Sequence, residues 1–225
     1  MLLDLIFSGA SFREVMVQLI LTIPIVLIAL TFHEVAHGWV SYKMGDPTAY
    51  NLGRLSLNPT KHLDPIGTIA MLLIGVGWAR PVPVNSRYYK KPKLGMALTA
   101  FAGPVVNILL AFVGVLLSSA SIYLVYLPSI DFQLIAIISS FFFYFAQMNL
   151  YLAVFNLIPI PPLDGSRIAF IFLPDRIYFG LMRYEQIVKL ALLVVLYMGV
   201  LDVPLNFITG HLMGGMYSLV NLVMP

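Results

Sequence analysis

Apolar stretches long enough to cross a bilayer alternate along the chain with segments rich in Gly, Pro and Asn. A spanning helix needs about 20 apolar residues. The first candidate, "VMVQLILTIPIVLIALTFHEVAHGWVSY", covers residues 15–42. Pro24 lies inside it, which a membrane helix tolerates because neighbours satisfy the freed backbone groups. Further spans are expected over about 94–127, 132–158 and 185–200, with a weaker, glycine-interrupted candidate after Pro204. The segment between the first two spans, residues 43–93, holds the apolar run "PIGTIAMLLIGVGWA", short for a full crossing. It also holds "NLGRLSLNP" and "WARPVPVNSRYY", which alternate enough to predict short strands, with Pro81 and Pro83 suited to an edge. The pattern thus predicts an α-helical polytopic membrane protein forming one domain over 1–225. It has about five to six transmembrane helices and a re-entrant or short β-hairpin element between the first and second long spans.

Composition supports the membrane assignment. Of 225 residues 60% are hydrophobic and only 10% charged, where a soluble domain carries about 25% charged residues. The chain has no cysteine, which excludes disulfides, thiolate zinc sites and cysteine nucleophiles. Any metal must be held by histidine, carboxylate, amide or water. A net charge of +3 could suggest an anionic partner, but placement argues otherwise. Lys43, Arg54, Lys61, Arg80, Arg87, Lys90, Lys91 and Lys93 lie in the first large loop. Arg167, Arg176, Arg183 and Lys189 lie in the second, and the 127–133 connection has no basic residue. The positive-inside rule then places both large loops in the cytoplasm and the N-terminus outside. The expected partners are the lipid bilayer and proteins within it, not nucleic acid. The opening "MLLDLIFSGASFREV" lacks the order of a signal peptide, and residues 1–12 read as a short interfacial segment.

Chemistry concentrates at the end of the first span. His33-Glu34-Val35-Ala36-His37 is an HExxH. On a helix its histidines, four residues apart, share a face and can reach one metal ion. Glu34, beside the first ligand, can hold a metal-bound water for deprotonation. Ionisable groups within an apolar span are rare and functional by default. At about 1.5 Å per residue, His33 lies about 27 Å along a helix entering at Val15, in the cytoplasmic half of the bilayer. The third span returns to that side and delivers "NLIPIPPLDG", residues 156–165. A catalytic zinc ion needs a third protein ligand and an open position, and Asp164 is the candidate. Pro159, Pro161 and Pro162 cannot continue a helix and hold the chain extended before it. Gly165 permits close backbone approach. Read alone, the same Asp-Gly is turn chemistry.

"HEVAHG" together with "NLIPIPPLDG" resembles the site-2 protease family of intramembrane zinc metalloproteases. "AGPVVN", residues 102–107, resembles that family's Gly-Pro-x-x-Asn element on the intervening helix. The resemblance covers about residues 31–170. It implies one Zn²⁺ held by His33, His37 and Asp164, with Glu34 as catalytic acid/base. It also implies cleavage in or near transmembrane segments of membrane protein or peptide substrates. The chain has no room for the PDZ or CBS domains of many members and looks like a minimal core form. Asn107 and Asn156 are candidate substrate contacts, bonding a substrate backbone or the developing oxyanion; each could equally fix helix packing. His62 reads as a loop histidine or an auxiliary ligand, and His211 falls on the side away from the metal. Two other readings are a non-proteolytic membrane protein of the same fold that binds partner helices, and a metal transporter. The intact HExxH with Asp164 argues against the first. The lack of a second buried acidic or histidine cluster argues against the second. The pattern leaves oligomeric state open.

Overall fold

The computed structural model describes residues 9–74, 77–126, 130–174, 176–177, 180 and 183–224. Most of the expected interfacial segment, residues 1–8, lies outside them. Helix α1, Phe12–Lys43, starts at a capping box. The Ser11 hydroxyl accepts from the Glu14 N–H at 3.3 Å, and the Glu14 carboxylate accepts from the Ser11 N–H at 2.7 Å. Two of the unpaired donors of the first turn are thereby satisfied. Lys43 in the last turn complements the helix dipole.

A loop carrying the short helix α2, Pro65–Ile74, leads to α3, Pro92–Ile122, and then to α4, Phe132–Asn156. Helix α3 is central, packing against both α1 and α4. The contact faces follow helical spacing. On α1, Ile25, Ala29, His33, His37 and Ser41 are buried at intervals of four, which places them on one stripe. On α3, Ala100, Gly103, Asn107, Ala111, Gly114 and Ser118 are buried at intervals of three or four. Small residues there let the backbones close up, the usual way helices associate where lipid offers no hydrophobic drive. A Cβ at Gly114 would lie 3.0 Å from the backbone nitrogen of Ala146 on α4. Outward-facing Ile20, Leu109, Val113 and Ile137 remain exposed, as lipid contact requires.

After α4 the chain turns through the prolines into α5, Asp164–Ala169, then α6, Glu185–Tyr197, and α7, Asp202–Asn221. The last two meet at a bend of 78°. Lys189 of α6 stacks over the Trp78 ring at 4.6 Å, tying α6 to the first loop. The far part of α7 reaches α3, where the Tyr217 hydroxyl donates to Ser118 Oγ at 3.4 Å. Met213 and Val220 of α7 join Ala111, Val115, Ala146 and Leu150 in one core cluster.

Three helices among the described residues are long and apolar enough to cross a membrane, or four if the bent α6–α7 pair is one span. The expected count was five to six. The difference lies in the last third of the chain: α6 has 13 residues, about 20 Å against a hydrocarbon core of about 30 Å. The first loop also departs from the hairpin expectation. Its described residues form one isolated antiparallel bridge, Leu63 with Ala79, and otherwise turns, the helix α2 and the single-turn helices Thr48–Asn51, Pro59–Lys61 and Ser86–Tyr88. Prolines 81 and 83 lack the N–H groups a ladder needs. Arg54 takes the carbonyls of Arg80 and Pro81, and Glu34 takes the N–H of Val82.

Candidate metal centre

The stripe on α1 turns His33 and His37 toward α3, and the start of α5 brings Asp164 to the same point. His33 Nε2 and His37 Nε2 lie 3.0 Å apart, and each is 3.1 Å from Asp164 Oδ2. His33 and His37 are buried and Asp164 is partly buried. Other chain segments make room for this triangle. At Gly103 a Cβ would stand 2.5 Å from His33 Cε1 and 2.6 Å from His37 Nε2, so only glycine admits both rings. At Gly165 a Cβ would meet the Leu157 carbonyl oxygen at 2.3 Å, so glycine lets α5 start hard against the end of α4.

The ring tautomers follow from the partners. His33 Nδ1 lies 2.6 Å from Asn107 Oδ1, and His37 Nδ1 lies 2.7 Å from the Thr99 carbonyl oxygen. Both oxygens only accept, so each Nδ1 carries a proton, and in the neutral ring each Nε2 presents a lone pair. The Asn107 orientation is fixed in turn. Its Nδ2 donates to Asn149 Oδ1 at 2.7 Å and to the Ala29 carbonyl at 3.3 Å, and Asn149 Nδ2 donates to the Phe145 carbonyl at 2.8 Å. The network runs in one direction and ends in a lone pair on His33.

Three groups able to donate an electron pair therefore converge on one point. A cation seated among them would draw on all three at once. Two neutral imidazoles and a carboxylate suit zinc, whose tetrahedral bonds of about 2.0–2.1 Å set ligand atoms about 3.3 Å apart. The donor set fits that ion, and the ring N–H bonds are the kind of outer support that orients metal-ligating histidines.

Glu34 sits beside the cluster, buried, with Oε2 accepting from the Val82 N–H at 2.7 Å. Asn107 was a candidate substrate contact. The structure instead places it fully buried behind His33, with its amide engaged on both sides. Asn156 closes α4, and its Nδ2 donates back to the Leu152 carbonyl at 2.9 Å. His62 is buried in the loop, its Nε2 bonded to the Ser56 carbonyl at 2.7 Å, and is not one of the three clustered donors. His211 is exposed on α7 and bonds the Phe207 carbonyl.

Asn149, Thr99 and Val82 escaped sequence reasoning. A signal existed for Asn149, an amide in an apolar span two helical turns before Asn156. Thr99 and Val82 act through backbone atoms, which side-chain identity does not announce.

Comparison with known proteins agrees with this geometry. Residues 21–201 match the profile of peptidase family M50. The chain is 50% identical over 146 residues to "Putative zinc metalloprotease YwhC" of Bacillus subtilis, covering 63% of this chain and 64% of that protein. It is 32% identical over 169 residues to "Putative zinc metalloprotease MJ0611" of Methanocaldococcus jannaschii, covering 72% and 75%. It is 29% identical over 145 residues to "Putative zinc metalloprotease Rip2" of Mycobacterium tuberculosis, covering 62% and 52%. The chain thus spans just under two thirds of the first of these relatives and about half of the last. No solved structure gives a significant match. The matched segment encloses the HExxH, the Gly-Pro-x-x-Asn element and Asp164, and the chain belongs to peptidase family M50, the site-2 protease family.

Proposed function

We propose that the protein is an intramembrane zinc endopeptidase that hydrolyses peptide bonds in or near transmembrane segments of membrane proteins. The observation that carries this reading is the convergence of two imidazole nitrogens and a carboxylate oxygen beside a second, buried carboxylate. His33, His37 and Asp164 would hold the zinc ion. Bound there, it supplies Lewis-acid polarisation of a peptide carbonyl and of water. Glu34, anchored through one oxygen, keeps the other for a water molecule. It takes that water's proton as the oxygen attacks the carbonyl carbon, then gives the proton to the departing amine. The carbonyl C–N bond breaks, leaving a carboxylate and an amine.

The substrate class follows from the surroundings. The donors sit on helices that face lipid on their outer sides, so a helix arriving through the bilayer has the shortest route to them. A helical substrate must unwind, because its amides are already paired internally. The basic loops argue for a cytoplasmic placement of the site. Asn156, at the mouth of the proline turn, is the residue we assign to the substrate backbone.

The test is wild type against Glu34→Gln, with a single-span substrate in liposomes and zinc measured by mass spectrometry. Both proteins should hold one zinc ion, and cleavage should fall about 10²–10⁴-fold or more in the variant. Equal cleavage by the two would remove the hydrolase reading.

A further inference from the structure

Between Pro81 and Pro83 only Val82 has an N–H, and that N–H is bonded to Glu34. The arrangement is built from both ends. Upstream, Arg80 N–H donates to the His62 carbonyl at 2.8 Å, and the Arg54 guanidinium donates to the carbonyls of Arg80 at 2.7 Å and Pro81 at 3.3 Å. Downstream, the Asn85 N–H donates to Asp46 Oδ2 at 2.6 Å. Asp46 is itself fully buried, bonded by the Ser41 hydroxyl and the Thr48 N–H at 2.9 Å each. Burial pushes its carboxyl up, yet the bond from the Thr48 hydroxyl, together with those from the Asn85 and Thr48 N–H groups and Ser41, outweighs burial and holds it below its usual range. In the middle, the Val82 side chain is buried against α1, where Gly38 has no side chain to obstruct it; a Cβ there would lie 3.0 Å from Val82 Cγ1. Glu34 and Gly38 are one turn apart on the same face of α1. Six residues, 80–85, are thus pinned at both ends and seated on the one face that carries the carboxylate.

We propose that residues 80–85 are a positioning strap for Glu34, and that the Val82 N–H is the group that orients its carboxylate. This rests on the reading of Glu34 as the proton carrier. A charge-assisted bond from a backbone donor holds a carboxylate more firmly than a flexible side chain would, since the donor cannot change rotamer. The flanking prolines contribute by what they lack. Neither offers a second N–H that could draw the carboxylate to another register, and both restrict the backbone on either side of Val82. The strap fixes Oε2 and so fixes where Oε1 points. Positioning of this kind changes the rate of the bond-breaking step more than the affinity for substrate.

The test has two arms, both on the full chain in detergent or liposomes. In the first, hydrogen exchange at the Val82 amide is compared between wild type and Glu34→Ala in the metal-free protein. Exchange should quicken about tenfold or more in the variant, with the Asn85 amide unchanged as the internal control. Equal exchange at Val82 in the two proteins would overturn the strap. In the second, Val82→Pro deletes the N–H while keeping an extended backbone, and Val82→Ala keeps the N–H while trimming the side chain. Val82→Pro should retain zinc and a KM within about threefold while kcat drops about 10–100-fold, and Val82→Ala should recover at least about tenfold of that loss. Equal losses in the two variants would assign the effect to packing on Gly38 and overturn the proposal. If the wild type cleaves no membrane substrate, the exchange arm separates the causes. A protected Val82 amide then means the hydrolase reading has failed, and an unprotected one means the strap has.

Discussion

Two polar clusters lie along helix α3, one around Asn107 and one around Ser118, about 16 Å apart at 1.5 Å per residue. The second is the richer in hydroxyls. Ser118, Ser119, Ser139, Ser140, Tyr144 and Tyr217 line a cavity of about 290 Å³ between α3, α4 and α7. Ser118 Oγ lies 3.2 Å from the Ser139 carbonyl and 3.3 Å from Ser139 Oγ, and the Ser121 hydroxyl donates to the Ser118 carbonyl at 2.6 Å. Each hydroxyl brings its own proton and rotates to suit its neighbours. Such a cluster is balanced, and it serves as ordinary interhelical adhesion. The cluster near Asn107 is built oppositely. Its Nδ1 atoms bond outward, to Asn107 and Thr99, so that the two Nε2 atoms are turned toward one another and toward Asp164, where neutral rings offer lone pairs to a cation. Polarity inside a membrane bundle is therefore not what marks a metal site. An unbalanced donor set is.

The sharpest way to break this contrast is to remove a donor. Asp164→Ala should abolish stoichiometric zinc binding and bring cleavage to the uncatalysed level, measured by metal analysis and substrate processing. Zinc bound as tightly as in wild type would mean that the imbalance is not satisfied by a metal at these atoms.

Gly103→Ala comes next. The added methyl would fall within 2.6 Å of both rings, so either α3 moves away or the imidazoles rotate off the common point. Overpacking at such a contact costs about 1–3 kcal/mol, and here the histidines are the flexible side of it. Zinc affinity should fall by at least about 10-fold, as for other changes that misdirect a ligand. The same substitution at Gly114, which faces the backbone of Ala146 on α4, should lower thermal stability and leave zinc affinity unchanged. Equal zinc loss at both glycines would show that the bundle transmits any helix displacement to the site, and that Gly103 has no special position.

How much of this was legible beforehand depends on what kind of atom does the work. His33, Glu34 and His37 announce themselves by spacing, because a period of four on a helix converts directly into a shared face. Asp164 was legible through the prolines that isolate it. The first three long helices follow from uninterrupted apolar length, and the structure sets their ends within a few residues of the expected ones at Tyr42, Leu94 and Phe132. The last third was harder to read. The run through 185–221 is apolar enough for membrane contact throughout, but the break at residues 198–201, with Gly199 at φ +69°, sends the chain off at 78°. A hydrophobic window does not register direction. Strand-like alternation over 78–89 failed for a related reason, since alternation describes side chains whereas the groups that would form a ladder bond Glu34, Arg54 and Asp46 instead. Asn107 was visible as an amide in a span, but its direction, toward His33 on one side and Asn149 on the other, was not.

The outward chain from His33 gives a smaller, graded effect. Asn107→Ala should reduce zinc affinity about 10–100-fold, the range for removing an outer hydrogen-bond partner of a ligand. Asn149→Ala should reduce it by less, because Asn107 keeps its bond to the Ala29 carbonyl. Isothermal competition with a chelator resolves the two. An Asn149 effect equal to that of Asn107 would mean that the amide pair acts as one rigid unit.

The smallest effect expected is the most informative about the contrast. Ser118→Ala removes the hydroxyl at the centre of the outer cluster, to which Ser139 and Tyr217 both turn. Interhelical hydrogen bonds in membranes average about 0.6 kcal/mol, with a measured maximum of about 1.7, and the partners left behind are themselves hydroxyls that can turn to other acceptors. Stability should therefore fall by about 0.5–1 kcal/mol, read from the midpoint of unfolding in mixed micelles, with zinc affinity and cleavage unchanged. No such readjustment is open to the inner cluster, where an imidazole freed from Asn107 exchanges tautomer and places a proton where a lone pair is required. If Ser118→Ala lowered zinc affinity as much as Asn107→Ala, the two clusters would be one coupled network along α3. The distinction between balanced and unbalanced polar groups would then lose its force.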